Sequence, residues 1–181
     1  KWDNGATSWI IAYYTGAGLW CGNDFNVSTI KTYSGIKSLA IYGYMAWPNN
    51  AWDGWRMGIW GFSGGVPGSM LWPTGGSGSF VKASGSSGWK YFDVNWVLPG
   101  VKSFVAAFEQ FYNYPTCDGY VIDGNPTFMG HSWMYYQGEW APWESSNIAP
   151  YRNLCIRAVV DNEQNPGIAP SSIGRVKALY Y

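Results

Sequence analysis

The chain carries little charge for its length. Only 12% of its 181 residues are Asp, Glu, Lys or Arg, about half the share usual in a globular protein. The 11 basic residues are scattered and balanced by 11 acidic ones, which argues against nucleic acid and anionic membranes as partners. At zero net charge, electrostatic repulsion does little to keep copies of the chain apart.

Histidine, cysteine and long apolar runs are also scarce. His131 is the only histidine and no Cys-x-x-Cys pair occurs, so the sequence argues against zinc and haem sites. Cys21, Cys117 and Cys155 allow at most one internal disulfide. For each we expect a buried thiol, with a bridge between subunits as the alternative. No apolar run approaches the roughly 20 residues of a membrane span.

No cofactor is predicted from these residues. Structural calcium is the one metal left open, because it is held by several oxygen ligands and often sits near the ends of such folds. Asp3, Asn4 and Asp161 are the weak candidates, and they require the two termini of the domain to lie together.

Aromatic residues are abundant, with 13 Trp and 14 Tyr. Rings on this scale fill a core and still leave some for the surface, where Trp and Tyr serve contacts. Richness in Gly, Ser, Asn and Tyr indicates an extracellular or cell-surface protein. Lys1 in place of Met is typical of a processed chain.

Strand patterns dominate the sequence. Apolar side chains alternate at period two in five segments, which are Ile36–Tyr44, Trp55–Trp60, Tyr91–Val94, Phe104–Glu109 and Leu154–Val160. Clusters of Gly, Pro, Asn and Ser, such as Ser63–Gly68 and Pro73–Ser79, separate the strands as turns. No stretch shows a sustained helical period. The sequence predicts an all-β fold, a jelly-roll-type antiparallel β-sandwich over residues 1–160.

The end of the chain differs from the rest. Residues 161–172 predict a linker, and residues 173–181 predict an extra C-terminal strand with Arg175 and Lys177 on one face. The strand either folds back on its own sandwich or completes the sheet of a neighbouring copy by β-strand addition. The side chains predicted to carry that contact are Ile173, Val176, Ala178 and Tyr180.

The ordered motifs resemble a β-sandwich module of secreted and surface bacterial proteins, often found near a C-terminal sorting tail. The motifs are Asp3-Asn4-Gly5, Ile36–Tyr42, Gly64–Gly68, Gly88–Val94, Phe104–Gln110, Ser132–Tyr136 and Leu154–Val160. The resemblance implies a non-catalytic extracellular domain with an adhesive or structural role.

Two enzymatic interpretations are weaker. A glycoside hydrolase needs two carboxyls flanking a sugar cleft, and the available glutamates are Glu109, Glu139, Glu144 and Glu163. Their surroundings lack the Glu-Tyr-Tyr or Glu-Gly-Tyr strands of small xylanases. Gly61–Gly65 has the spacing of a nucleophile elbow around Ser63, but Val66-Pro67-Gly68 follows it where a helix is needed. We therefore predict that the chain is not an enzyme.

Sugar binding is a stronger alternative, because apolar sugar faces lie on aromatic rings while amides and carboxylates bond the hydroxyls. One loop and one distant ring supply such groups, namely Trp47, Asn49, Asn50, Trp52, Asp53 and Trp140. The same rings would equally serve to pack the ends of the sandwich or an interface between subunits.

The sequence thus favours an extracellular structural or adhesive subunit that binds other copies of itself, through aromatic contacts and the C-terminal strand, into a filament or surface layer. The alternative is a carbohydrate-binding module whose partner is a polysaccharide.

Overall fold

The structure is a computed structural model that describes residues 7–30, 33–46, 50–97, 100–123, 129–146 and 153–162. Within these ranges the chain forms twelve strands and one short 3₁₀ helix, Trp143–Ser146. The strands are β1 (Thr7–Ile11), β2 (Leu19–Asn26), β3 (Tyr33–Tyr44), β4 (Trp55–Ser63), β5 (Val66–Trp72), β6 (Ser79–Val81), β7 (Gly88–Val97), β8 (Ser103–Gln110), β9 (Gly119–Asp123), β10 (Ser132–Tyr136), β11 (Glu139–Pro142) and β12 (Ile156–Asn162).

The strands form two antiparallel sheets. Sheet A is built around β3, which pairs with β7 along one edge and with β12 and then β9 along the other; β1 pairs with β9. Sheet B has the order β11-β10-β2-β8-β4, and β5 and β6 share the far edge of β4. The prediction of an all-β antiparallel sandwich is confirmed.

The main core lies between the two sheets. Sheet A contributes Leu39, Ile41 and Ile156, and sheet B contributes Trp55 and Phe108, none of them more than 1% exposed. Each of these side chains falls on the face that period-two alternation predicts. Four of the five predicted strand segments lie within β3, β4, β7 and β8, and the fifth overlaps β12, which begins at Ile156, two residues later than predicted.

The turn predicted over Ser63–Gly68 is partly wrong. Only Gly64 and Gly65 form the turn, with φ of 63° and 81°, and β5 already begins at Val66. Two consecutive positive-φ residues make the tight hairpin connection whose twist matches the paired strands. Pro67 is tolerated because β5 lies at the edge of sheet B.

A buried polar network links the two sheets at one end of the sandwich. Asn23 Nδ2, on the inner face of sheet B, donates to the carbonyls of Leu154 (2.9 Å) and Ile156 (3.1 Å) of sheet A. Ser132 Oγ donates to Asn23 Oδ1 (2.8 Å) and accepts from Leu154 N (3.2 Å). Because Asn23 and Ser132 are at most 1% exposed, these bonds replace water that cannot reach the site.

We expect Asn23→Leu to destabilise the fold by about 2–4 kcal/mol, because it leaves two buried carbonyls and the Ser132 hydroxyl without their partner. Urea denaturation measures this change. Asn26→Ala is the matched control, since Asn26 is exposed and lies on the same strand. Equal losses in the two variants would contradict a structural role for the network.

The three cysteines confirm the expectation of buried thiols. Cys21, Cys117 and Cys155 are at most 4% exposed, and each carries a thiol. Burial raises the pKa of Cys117 to about 12 and that of Cys21 further, so neither thiol is ionised at neutral pH.

The C-terminal predictions fall mostly outside the described residues. β12 ends at Asn162, so the first two residues of the predicted linker belong to that strand. Ile173, Val176, Ala178 and Tyr180 lie beyond the described ranges, and their role in assembly stays a prediction. No helix in the described part of the chain is both long enough and apolar enough to cross a membrane.

Candidate functional site

The outer face of sheet B is closed to water over its central strands. Seven of the eight residues in β2 and in β8 are buried, although only alternate ones face the core. The outward-facing Val105 and Ala107 are 0% exposed. The outer face of an antiparallel sheet is usually solvated, so a second apolar layer must cover these strands.

Aromatic side chains from the neighbouring strands form that layer. The rings of Trp20 (β2), Trp60 (β4) and Trp133 (β10) are 5–7% exposed and pack over Val105 and Ala107. Half-buried Phe62, Met70, Tyr135 and Trp140 surround them. We call these seven side chains the ring layer.

Strand register orders the polar and aromatic groups into a row across the sheet. Trp140 pairs with Tyr135, Tyr135 with Trp20, Trp20 with Glu109, and Glu109 with Arg56. Directly paired residues place their side chains on one face. The row crosses five strands, or about 19 Å at the usual strand spacing. It runs from half-buried ring faces to a carboxylate and a guanidinium.

The next row across sheet B consists of small residues, which leave space on the outer face for an indole ring. Gly22, Ala107 and Gly58 pair across β2, β8 and β4 and leave a trough. Trp60 lies over Gly58, Trp20 reaches Gly78 just ahead of β6, and the two rings meet with centroids 4.6 Å apart and planes at 76°. A Cβ at Gly58 would lie 3.0 Å from the Trp60 ring, so glycine is needed for this position of the indole.

Gly58→Val should lift the Trp60 indole and destabilise the protein by about 1–3 kcal/mol, because a side chain is forced into filled space. Thermal unfolding and near-ultraviolet circular dichroism of the tryptophans report the change. In Gly61→Val, the matched control on the same strand, the new Cβ would meet Leu71 at an ordinary 3.6 Å. A loss of the same size in the control would attribute the effect to strand β4 and not to the ring.

Ring contacts fix the half-buried end of the layer. Trp140 meets Trp60 edge-on at 5.2 Å and 81°, and it lies 5.2 Å from Tyr135 with planes tilted by 49°. Phe62 meets Trp133 edge-on at 5.6 Å. Such edge-to-face pairs hold each ring in one orientation, so the faces of Trp140 and Tyr135 that remain accessible have fixed positions.

Glu109 and Arg56 form the polar end of the row. Arg56 Nη1 lies 3.4 Å from Glu109 Oε2, and the Arg56 guanidinium stacks 4.5 Å from the centroid of Phe111. Burial raises the pKa of Glu109, while the adjacent guanidinium opposes the shift. The pair offers hydrogen-bond donors and acceptors beside the rings.

A second carboxylate anchors Trp133 from the side. Asp24 is 6% exposed; its Oδ1 accepts from Trp133 Nε1 (2.8 Å), and its Oδ2 lies 2.9 Å from His131 Nδ1. The carboxylate thus sets the orientation of the indole and the imidazole together. The single histidine of the chain therefore lies at this site, beside the carboxylate of Asp24.

The loop predicted to bind sugar is placed differently. Trp52 is 6% exposed; its indole packs 5.3 Å from Trp55, donates to the Gly85 carbonyl (2.7 Å) and lies under Lys90 Nζ. Its ring is therefore a core side chain and offers no face to solvent. Asn50 is exposed and Asp53 is half-buried, whereas Trp47 and Asn49 lie outside the described residues.

Trp52 and Trp140 belong to different layers. Trp52 packs in the core between the sheets, and Trp140 packs in the ring layer on the opposite face of sheet B. The structure thus does not bring the predicted sugar-binding rings together. Sugar binding by the 47–53 loop stays a prediction, carried in the described part by Asn50 and Asp53 alone.

Asp118 holds that loop in place. Its Oδ1 accepts from the backbone N of Ala46 and Asp53, both at 3.2 Å, and its Oδ2 accepts from Gly54 N at 2.7 Å. The residue is 1% exposed, and burial raises its pKa to about 6 against the opposing effect of these amides. Burial is therefore the reason that this carboxyl has a pKa near neutral pH.

A raised folded-state pKa means that Asp118 contributes stability below its ordinary pKa of 3.8, and this stability is lost as the pH rises through about 6. Relative to Asp118→Asn, we expect the free energy of unfolding of the native chain to fall by at most about 3 kcal/mol from pH 4 to 7. Urea titrations across that range measure the difference. A difference that does not change with pH would contradict this assignment.

The glutamates do not form a glycosidase pair. Glu109 (β8) and Glu139 (β11) are three strands apart, about 14 Å, and alternation places them on opposite faces of sheet B. Paired catalytic carboxyls lie within about 5–9.5 Å. Glu144 is exposed in the 3₁₀ helix, and Glu163 lies outside the described residues. Ser63 ends a strand and enters a hairpin turn, so the geometry of a nucleophile elbow is absent there.

Sequence reasoning missed most of this site. Tyr135 was considered only as an addition to the sugar-binding loop, Trp20, Trp60 and Trp133 were not singled out for function, and Asp24 and Arg56 were not considered as partners. The available signal was a glycine two positions from an outward tryptophan on both β2 and β4. That pattern becomes informative only when strand pairing places both glycines opposite Ala107 of β8.

The metal candidates gain no support from the described residues. Asp161 is exposed, while Asp3 and Asn4 lie outside those ranges. No group of three or more His, Cys, Asp and Glu side chains in the described part could hold a metal ion.

A scan against protein-family models and a search of curated proteins found no match. Among solved structures, the fold is similar to a crystal structure of the cysteine protease and lectin-like domains of a surface layer associated protein of Clostridium difficile. The TM-score is 0.52 at 18% identity, over 76% of this chain and 31% of that chain. At this identity the similarity establishes the fold alone.

Proposed function

We propose that the chain is an extracellular carbohydrate-binding domain that holds an oligosaccharide along the row from Trp140 and Tyr135 to Glu109 and Arg56. The row itself carries the proposal. Partly accessible ring faces lie at one end and the partly exposed Arg56 lies at the other, while Trp20 and Glu109 between them are 6% exposed.

The chemistry of the row matches a sugar chain. The apolar C–H faces of a sugar pack on Trp140 and Tyr135, which are half-buried and therefore partly accessible. The hydroxyls then meet the donors of Arg56, which the buried carboxylate of Glu109 holds in place. A length of about 19 Å suits an oligosaccharide better than a single sugar.

Rigidity of the rings favours binding. Trp140 is held edge-on by Trp60, and Tyr135 packs against the tilted ring of Trp140, so little side-chain freedom is lost when a ligand arrives. We propose binding without catalysis, because the glutamates on β8 and β11 are too far apart to act as a pair.

The structural neighbour supports the same class of function. It is a surface layer associated protein with cysteine protease and lectin-like domains, and 31% of that chain shares the fold of this one. The composition, rich in Gly, Tyr and Trp and poor in charge, supports an extracellular or cell-surface location.

The test is affinity electrophoresis and pull-down on soluble and insoluble β-linked glucan, xylan and chitin. Trp140→Ala and Tyr135→Ala should each weaken retention on the bound polysaccharide about tenfold, equivalent to about 1.4 kcal/mol. Tyr91→Ala is the matched control, because Tyr91 is 57% exposed on the outer face of sheet A. It should bind as the native chain does.

Circular dichroism of each variant must first show a native fold. Full retention of a bound polysaccharide by both ring variants would remove the proposed site. Failure of the native chain to bind any polysaccharide of the panel would count against the function itself.

A further inference from the structure

We infer that the exposed edge of β7 binds the segment Ile173–Tyr181 of the same copy as an additional antiparallel strand of sheet A. Among the described residues, β7 pairs with β3 alone, so a ten-residue edge has no strand on its other side. Unpaired edges of this length are templates for strand addition.

The inner side chains of β7 are incompletely covered. Phe92, Val94 and Trp96 pack against the core but remain half-buried, whereas the paired Leu39 and Ile36 of β3 are at most 1% exposed. A strand added beside β7 would bury this row. Such a strand would need apolar side chains on the face that it turns toward the core.

The segment Ile173–Tyr181 has the side chains this edge requires. Val176, Ala178 and Tyr180 share one face, which matches the inner row of β7 at the same period. Arg175 and Lys177 then face outward, on the same side as Asp93, the only acid of β7 and an exposed one. Nine residues without proline fit an edge of ten.

Chain direction and reach favour the same copy. Asp161 pairs with Gly35, and Gly35 pairs with Val97, so β12 ends beside the end of β7. A strand entering there runs antiparallel to β7. From β12 across β3 and β7 the distance is about 14 Å, and the ten residues 163–172 have a root-mean-square reach of about 17 Å. Because the reach of the linker matches this distance, the effective concentration of the C-terminal segment at its own β7 is millimolar. The segment of the same copy therefore outcompetes that of a second copy.

A groove lies at the end of sheet A, between the end of β12 and the end of β7. Ser34, Gly35, Trp96 and Asp161 line it at the end of β3, next to the last residues of β12. A chain leaving Asn162 can therefore pass along the sheet end without crossing the ring layer on the other sheet.

Hydrogen–deuterium exchange of the full chain tests the inference. In the native chain the edge-facing amides of β7 should exchange at least about tenfold more slowly than in a Val176→Asp, Ala178→Asp double variant, because the added strand accepts their hydrogen bonds. Ser171→Asp with Ser172→Asp is the control, since it adds the same charge in the linker and should leave protection unchanged.

Equal exchange of β7 in the native chain and the Val176→Asp, Ala178→Asp variant would overturn the inference. Sedimentation velocity and exchange at 1 µM and 100 µM separate the source of the strand. Protection that persists in a monomer at both concentrations supports the same copy. Protection that appears only with an oligomer at the higher concentration overturns it in favour of donation between copies. The Trp140→Ala and Tyr135→Ala variants, which test sugar binding, should leave the exchange protection of β7 unchanged, so the two proposals can fail separately.

Discussion

The structure depends on covering a sheet that is buried on both faces. β2 and β8 lie in the middle of sheet B, and the core between the sheets accounts for only one of their faces. With no third layer of secondary structure over the described part of the other face, side chains must exclude water there. Large rings from adjacent strands do so only where small residues leave them room, as Gly58 does for Trp60 and Gly78 does for Trp20.

Under this constraint, the surface proposed to bind sugar follows from the packing of the ring layer. The rings buried most deeply stabilise sheet B, while those at the edge of the layer, Trp140 and Tyr135, are half-covered and keep a face toward solvent. Stability and recognition are therefore distributed over different members of one cluster. Carboxylates lie beside it, Asp24 orienting Trp133 and Glu109 pairing with Arg56, so the polar contacts are as fixed as the rings.

The inner half of the fold could be predicted from sequence, and the outer half could not. Alternation assigned Leu39, Ile41, Trp55 and Phe108 to the core, because one face of each strand has to be apolar. The same rule says little about Val105 and Ala107, since a strand apolar on both faces shows no alternation. Local density of rings was misleading: Trp52 is buried by long-range pairing that its neighbours in sequence do not reveal.

The unusual composition has a structural cause. An ordinary sandwich exposes the outer face of each sheet and places charged and hydroxyl side chains there. Here the outward positions of β2, β8, β4 and β10 hold Trp20, Val105, Trp60 and Trp133. The low content of charged residues is therefore explained in part by an outer sheet face that water does not reach. Rings that composition alone would assign to contacts between copies thus have partners within the fold. In sheet A, the backbone of β7 has an edge that no described strand pairs with, and its hydrogen-bonding groups suit a strand as partner.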